Sequence, residues 1–158
     1  MINYKKAKDI LIKSKIKIKD EIIDSSKSLN RINTLDIYST VNYPAGTNAA
    51  FDGFAINSKE TIKLNKKNIK EFKILKTISA GDNPRLNKIK KFQTIEIMTG
   101  ALIPSFFDTI IPIEKIIFNK NRKYIQVNEK IKKNQHIRYV GSDYKKKDLI
   151  VKKGTIIQ

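Results

Sequence analysis

A single carboxylate, Asp52, sits in the stretch NAAFDGFAI at residues 48–56, between Phe51 and Phe54 and directly before Gly53. A second stretch, IEIMTGALIP at residues 95–104, places the hydroxyl of Thr99 before Gly100. Each admits a structural and a chemical reading. Asp followed by Gly is a common turn signal, and the carboxylate can satisfy nearby backbone N–H groups. A carboxylate among apolar neighbours is also a poised ligand or acid–base group, because its surroundings and fixed donors control its ionisation. Thr99 is either a strand-end residue before a glycine turn or a hydroxyl that, with the Gly100 N–H, donates to an oxyanion.

Other polar residues have simpler readings. Asp82 and Asn83 before Pro84 form a turn signal, and Lys145 to Lys147 a solvated turn. Glu114, after Pro112 in IIPIE, either orients a site or binds a cation, or ends a surface strand. Arg138, just before Gly141, clamps the returning chain, and His136 is a solvated residue at a junction. The chain has no cysteine and one histidine, which excludes disulfides, thiolate metal sites and a zinc cluster. A metal would be a hard ion held by oxygen, such as magnesium, with ligands that the sequence leaves open.

The elements that must position Asp52 and Thr99 are mostly strands. Tyr4, Ala7, Ile10, Leu11 and Ser14 fall on one face at helical spacing, which predicts a helix over residues 3–14. KIKIKDEII at 15–23 and RINTLDIYSTV at 31–41 alternate without deciding between a strand and a short helix. FKILKTISA, QTIEIMT, DTIIPIEKIIF and YIQVNEKI are β-branched runs of strand length. Turn chemistry separates them, at residues 81–84 and 119–122. The closing GSDYKKKDLIVKKGTIIQ carries a charged turn, an apolar run from Leu149 to Val151, and a second apolar run after Gly154.

At 158 residues and 40% hydrophobic content, the chain is long enough to fold around a core. Its formal charge of +18 invites a nucleic-acid reading. Of the 33 basic residues, however, only Arg31, Arg85, Arg122 and Arg138 carry the planar fork that reads phosphate and guanine. Lysine is spread over almost every polar segment, so the charge reads as a solvated basic surface, and specific nucleic-acid binding is not expected. Residues 1–20 carry lysines on both sides of every short apolar run, so neither a signal peptide nor a membrane span is expected there, and the location expected is cytoplasmic.

Six segments in order carry a resemblance to a known family. SLNRINTLDIYSTVNYP resembles the pattern AxGRVLAEDVxSxxDxP, NAAFDGFAI resembles NSAMDGYAV, and ISAGDNP resembles an AAGDPP-type turn. IEIMTGALIP is similar to VRIMTGAPLP, FDTIIPIEKI to ADAVVPVEDT, and RYVGSDYKKKDLIVKKGTII to RxxGEDIxxGxxLxxxGTxL. Over residues 20–157 the chain thus resembles the N-terminal part of molybdopterin molybdenumtransferase, the MoeA family. Departures occur at Asn30, Gly46, Thr47, Ala49 and Ser142, whereas Asp52, Gly53, Thr99, Gly100 and Pro104 keep the family pattern.

The resemblance implies a β-rich α+β fold with an N-terminal helix. Residues 1–40 and 137–158 would form an elongated linking region and residues 41–136 an inserted β domain. The family's C-terminal pterin- and nucleotide-binding domain has no counterpart in these residues, so a missing half or partner chain is expected. The implied reaction inserts molybdate into adenylylated molybdopterin with release of AMP, with Mg2+ and a homodimer. The resemblance makes Asp52 and Thr99 catalytic and places Asn48, Gly53, Gly100 and Pro104 at the substrate. The reading from a different class is a noncatalytic basic β module, either a scaffold remnant or an RNA binder using lysines with Tyr43, Phe51 and Phe54 as exposed aromatics.

Overall fold

The computed structural model describes residues 2–14, 16, 18–86 and 88–158. In chain order the elements are α1 (Tyr4–Lys13), β1 (Ile37–Tyr38), β2 (Asn48–Ala49), β3 (Gly53–Ile56), β4 (Lys70–Ile78), β5 (Gln93–Ile97), β6 (Thr109–Pro112), β7 (Ile117–Phe118), β8 (Tyr124–Val127), β9 (Ile137–Arg138) and β10 (Leu149–Val151). Short 3₁₀ turns occur at Ser25–Lys27, Ser58–Thr61 and Ile113–Lys115. The chain is β-rich with one N-terminal α-helix, as the sequence predicts. It forms two compact units, Met1–Ile37 with Leu149–Gln158, and Tyr38–Asp148.

In the first unit, helix α1 begins where the Asn3 side chain accepts the Lys6 N–H at 2.9 Å and ends where the Ser14 hydroxyl donates to the Ile10 carbonyl at 2.8 Å. These caps satisfy backbone groups that a helix end leaves unpaired. The apolar face read from the sequence exists, yet no residue of α1 is buried. KIKIKDEII forms no regular element among its described residues, and Lys15 and Lys17 lie outside them. RINTLDIYSTV becomes a bridge from Ile32 to Ile156 and the two-residue β1, which pairs with β10. Side chains complete the fastening: Asn33 accepts the Thr155 N–H at 2.8 Å and Asp36 the Lys153 N–H at 2.7 Å.

The second unit is built on a six-stranded sheet of order β6-β3-β5-β4-β8-β7. Only β4 and β5 run parallel; the other neighbours are antiparallel. Strand side chains alternate between faces, and both faces are filled. Ala55, Ile95 and Ile110 stand opposite one another on one face, in a cluster with Ile78, Ile97 and Phe107. Phe54 and Ile111 stand on the other face, with Ile56, Phe72, Ile125 and Val127. Burying each such side chain stabilises the unit by about 1.5–3 kcal/mol relative to leaving it exposed. The near-continuous apolar runs of β3 and β6 follow from this double burial.

The predicted turns are present. Asp82 accepts the Ser79 N–H at 2.7 Å while its own N–H returns to the Ser79 carbonyl at 3.1 Å. Arg122 adopts φ 54°, and its N–H reaches the Asn119 carbonyl at 2.9 Å. A separate two-stranded ladder joins β2 to β9, pairing Asn48 with Arg138 and Ala49 with Ile137.

Candidate functional site

Asp52 lies in the turn from β2 to β3, and three backbone contacts fix it. Ala50 donates its N–H to the His136 carbonyl at 3.0 Å, and Ile113 donates to the Asp52 carbonyl at 3.0 Å. At Gly53 the β3 backbone approaches β6 so closely that an added Cβ would stand 2.1 Å from the Ile111 carbonyl oxygen. No side chain fits there, which explains glycine as the neighbour of the acid.

Thr99 is brought to Asp52 by the turn that ends β5. Met98 donates to the Ile78 carbonyl at 3.0 Å, and Gly100, at φ 83°, donates to the Ala49 carbonyl at 2.9 Å. Ala49 in turn donates to the Ala101 carbonyl at 2.9 Å, so the turn is stitched to β2. The result is a paired contact: the Thr99 N–H and the Thr99 hydroxyl each donate to Asp52 Oδ1 at 2.6 Å. Both residues are exposed. The Thr99 hydroxyl, and after it the Thr99 N–H, hold the Asp52 carboxyl below its ordinary range. Asp52 Oδ2 accepts no hydrogen bond from a described residue.

This geometry changes the chemistry expected of the donors. The Thr99 hydroxyl hydrogen is directed at Asp52 and the Gly100 N–H at Ala49, so neither faces outward to an oxyanion. The arrangement instead presents an ionised, exposed carboxylate with one free oxygen. Such an oxygen can ligate a hard cation or accept a proton.

The remaining sequence candidates lie around this pair. Asn48 is half-buried, its backbone sits in the ladder opposite Arg138, and its Oδ1 is buried without a hydrogen-bond partner among the described residues. Pro104 is buried and opens a turn in which Phe107 donates to its carbonyl at 3.0 Å. His136 is not simply solvated: it is half-buried and meets Phe51 edge-on at 4.9 Å between ring centroids, against the turn that carries Asp52. Glu114 is exposed in the 3₁₀ turn Ile113–Lys115. Arg138 pairs with Asp143 and lies over the Tyr43 ring at 5.5 Å, clamping the returning segment as the sequence suggests. The guanidinium beside it holds the Asp143 carboxyl below its ordinary range.

Phe54 corrects the RNA-binding alternative. It is 1% exposed in the core and cannot stack on a base. The direct Asp52–Thr99 hydrogen bonds escaped the sequence, because 47 residues separate the partners. Nothing in their spacing signals the contact.

Magnesium takes oxygen ligands and is commonly held by one or two carboxylates, with water and substrate phosphates completing its shell. Asp52 fits one such ligand, being ionised, exposed and unpaired at Oδ2. Among the described residues no group of three or more His, Asp or Glu side chains could form a complete cage.

Over residues 2–158 the sequence matches the family described as MoeA N-terminal region (domain I and II). The molybdopterin molybdenumtransferase of Staphylococcus epidermidis is 31% identical over 153 residues, which cover 97% of this chain and 36% of that protein. The molybdopterin molybdenumtransferase of Haemophilus influenzae is 31% identical over 139 residues, 85% of this chain and 31% of that one. The crystal structure of the molybdopterin biosynthesis moeA protein from Pyrococcus horikoshii OT3 superposes with a TM-score of 0.90 at 26% identity, over 100% of this chain and 41% of that chain. The chain thus spans about a third of the length of the curated relatives it matches.

Proposed function

The chain belongs to the family of MoeA N-terminal regions, and from that premise we propose that it is the N-terminal part of a molybdopterin molybdenumtransferase. The reaction it serves is insertion of molybdate into adenylylated molybdopterin with release of AMP, in molybdenum cofactor biosynthesis. The observation that carries this reading is the Asp52 carboxylate, kept ionised by two donors from Thr99 and left with one unpaired oxygen. The names of the relatives supply the substrate class.

In this reading Asp52 is the catalytic residue and Thr99 its positioning residue. Asp52 Oδ2 would hold magnesium, which when bound supplies polarisation of a phosphate oxygen. Thr99 keeps the carboxylate aimed and deprotonated, so the site is charged before substrate arrives; such preorganisation is the main electrostatic contribution to catalysis. Gly53 and Gly100 hold the two turns at their spacing, and Asn48, held in the ladder opposite Arg138, borders the substrate on the β2 side. Pro104 borders the same region. The lysine-rich surface draws dianionic molybdate and a phosphorylated pterin toward the site.

The family's pterin- and nucleotide-binding region supplies the other half of the site, and two copies of the protein complete it as a homodimer. Support for the dimer comes from the unit Met1–Ile37 with Leu149–Gln158, where Tyr4, Leu11, Leu29 and Leu35 are all more than half exposed. Large apolar side chains left exposed in this way are available for burial against a second copy. We take residues 1–40 with 137–158 as the linking region and 41–136 as the inserted β domain. The boundary after Ile37 supports the N-terminal edge, whereas segment 137–148 packs with the second unit through β9. No described helix is long and apolar enough to cross a membrane.

The test joins these residues to the pterin- and nucleotide-binding region of the family and measures molybdenum insertion. Asp52→Asn lowers the rate by about 100-fold with no more than a slight fall in thermal midpoint. Thr99→Ala lowers it less, and Thr99→Ser restores it, because serine keeps both donors. Near-parent rates for Asp52→Asn would return that residue to a plain turn role. The 158-residue chain alone inserts no molybdenum.

A further inference from the structure

Asp52 precedes β3, and Asn57 follows it. At that far end, roughly 16 Å along the extended chain from Asp52, the second unit carries a groove of about 640 Å3. Its floor is apolar: Leu64 is buried, Phe92 and Phe106 are half-buried, and Ile62 is 58% exposed. Its rim carries Lys59, Lys63, Lys70 and Lys91.

The floor is held in place by design of the surrounding chain. Phe92 adopts φ 56°, a left-handed conformation that a bulky residue keeps only when its neighbours over-determine it. The Glu60 carboxylate accepts the Phe92 N–H at 2.8 Å, and the Phe92 ring meets core Phe72 edge-on at 5.5 Å between centroids. Lys70 Nζ lies 5.1 Å from the centre of the same ring. Glu60, the one carboxylate in the lining, is therefore turned onto a backbone amide, and no described acid forms an ion pair with any of the four lysines. Burial pushes the Glu60 carboxyl up, against the pull of the Phe92 N–H and of the Lys91 charge.

We propose that this groove is a binding site for a small organic anion with an apolar, aromatic body. The body would lie against Phe92, Phe106 and Ile62, with its carboxylate or sulfonate among the lysines. A groove of this size suits a small molecule. Polar groups around it already have partners within the chain: Asn57 Nδ2 donates to the Phe106 carbonyl at 3.2 Å, and Asn68 Nδ2 to the Lys63 carbonyl at 3.0 Å. A peptide adding itself by main-chain pairing would find little to pair with, so the apolar floor and the lysine charge carry recognition.

The full chain, isotope-labelled, is titrated with 2-naphthoate and followed by backbone amide shifts, with 2-naphthol and 2-naphthylmethylammonium as neutral and cationic controls. Naphthoate produces saturable shifts confined to residues 57–70, 88–92 and 106, the controls bind at least about tenfold more weakly, and added salt weakens naphthoate. The double variant Lys63→Glu/Lys91→Glu loses about tenfold or more in affinity while its thermal midpoint and its Asp52 and Thr99 shifts stay in place. Ile62→Glu, at an exposed position, does the same. Shifts spread over the surface or centred on α1, equal binding of the cation, or a response to a leucine- and glutamate-containing peptide but not to naphthoate would each overturn the proposal. None of these readouts depends on molybdenum insertion.

Discussion

Ile95 in β5 is fully buried, whereas Ile22, in the unit Met1–Ile37 with Leu149–Gln158, is fully exposed. The same contrast runs through both units. Tyr38–Asp148 contains every buried hydrophobic residue of the described chain, and the other unit, among its described residues, contains none. Both draw on the same isoleucine- and lysine-rich composition, so composition does not decide the outcome. Sheet pairing does: six neighbouring strands bring Ile, Phe and Val side chains together in clusters on both faces, while two- and one-residue pairings in the other unit leave apolar side chains bare. Hydrogen bonds from the Thr155 and Lys153 N–H groups to Asn33 and Asp36 fasten that unit instead, and fastening without burial contributes little net stability.

The sharpest way to break this contrast is to truncate matched apolar residues in each unit. Phe72→Ala removes a fully buried ring and lowers unfolding free energy by about 3–5 kcal/mol. Leu11→Ala removes a side chain that is 75% exposed and changes it by less than about 0.5 kcal/mol in the isolated chain. Urea unfolding of the two variants measures both, and comparable losses would mean that the first unit carries a core of its own. Leu11→Lys, which should leave the unfolding curve in place, would instead lower self-association in sedimentation if that bare face is the dimer surface.

A smaller effect separates packing from backbone approach within the second unit. Gly53→Ala adds only a methyl group, but at 2.1 Å from the Ile111 carbonyl oxygen it cannot be placed without moving β3 from β6. We expect a loss of about 1–3 kcal/mol, with amide shifts along both strands. Gly81→Ala meets no atom within 4 Å, although its φ of 92° still imposes strain, and its shifts should remain within its own turn. Equal perturbation of the sheet by both would remove the argument that Gly53 is fixed by contact.

Much of this sheet was legible beforehand. β-branched runs marked β4, β5, β6 and β8; β6 and most of β5 are buried on both faces and read as apolar stretches, β8 alternates, and β4 is mostly exposed and was legible from its β-branched residues alone. The helix α1 was legible from its spacing, but its exposure was not, since periodicity reports a face and never what covers it. RINTLDIYSTV left strand and helix open because its regular structure is too short to impose a period. At the site, the resemblance placed Asp52 and Thr99 together, while the residue chemistry gave Thr99 and Gly100 as donors to an oxyanion. The hydrogen bonds of both are directed inward, a fact fixed by how the turn after β5 meets β2 and therefore invisible in the local sequence. The Glu60–Phe92 contact was equally hidden, as it depends on a left-handed phenylalanine that no turn pattern announces.

The smallest expected effect concerns two carboxylates of the second unit that face opposite electrostatics. Asp52 is held below its ordinary range by the Thr99 hydroxyl first and the Thr99 N–H second, whereas burial raises Glu60. Linkage gives the signs. The Asp52 contribution is present above the unfolded carboxylate value of about 3.9 and is lost as pH falls through its lowered folded value. The Glu60 contribution runs the other way, being present below the unfolded value of about 4.3 and lost as pH rises through its raised folded value. Asp52→Asn should therefore lower the thermal midpoint slightly at neutral pH and converge with the parent in acid. Glu60→Gln, which keeps an oxygen to accept the Phe92 N–H, should raise the midpoint slightly at neutral pH and converge in acid as well. Direct titration of the Asp52 carboxyl carbon by NMR then isolates the cause. Thr99→Val removes the hydroxyl but keeps the N–H, so the Asp52 midpoint should move up toward the ordinary range, while Thr99→Ser leaves it low. If valine left the midpoint unmoved, the hydroxyl would not be what holds the carboxylate ionised, and Thr99 would lose its positioning role even though it still touches Asp52.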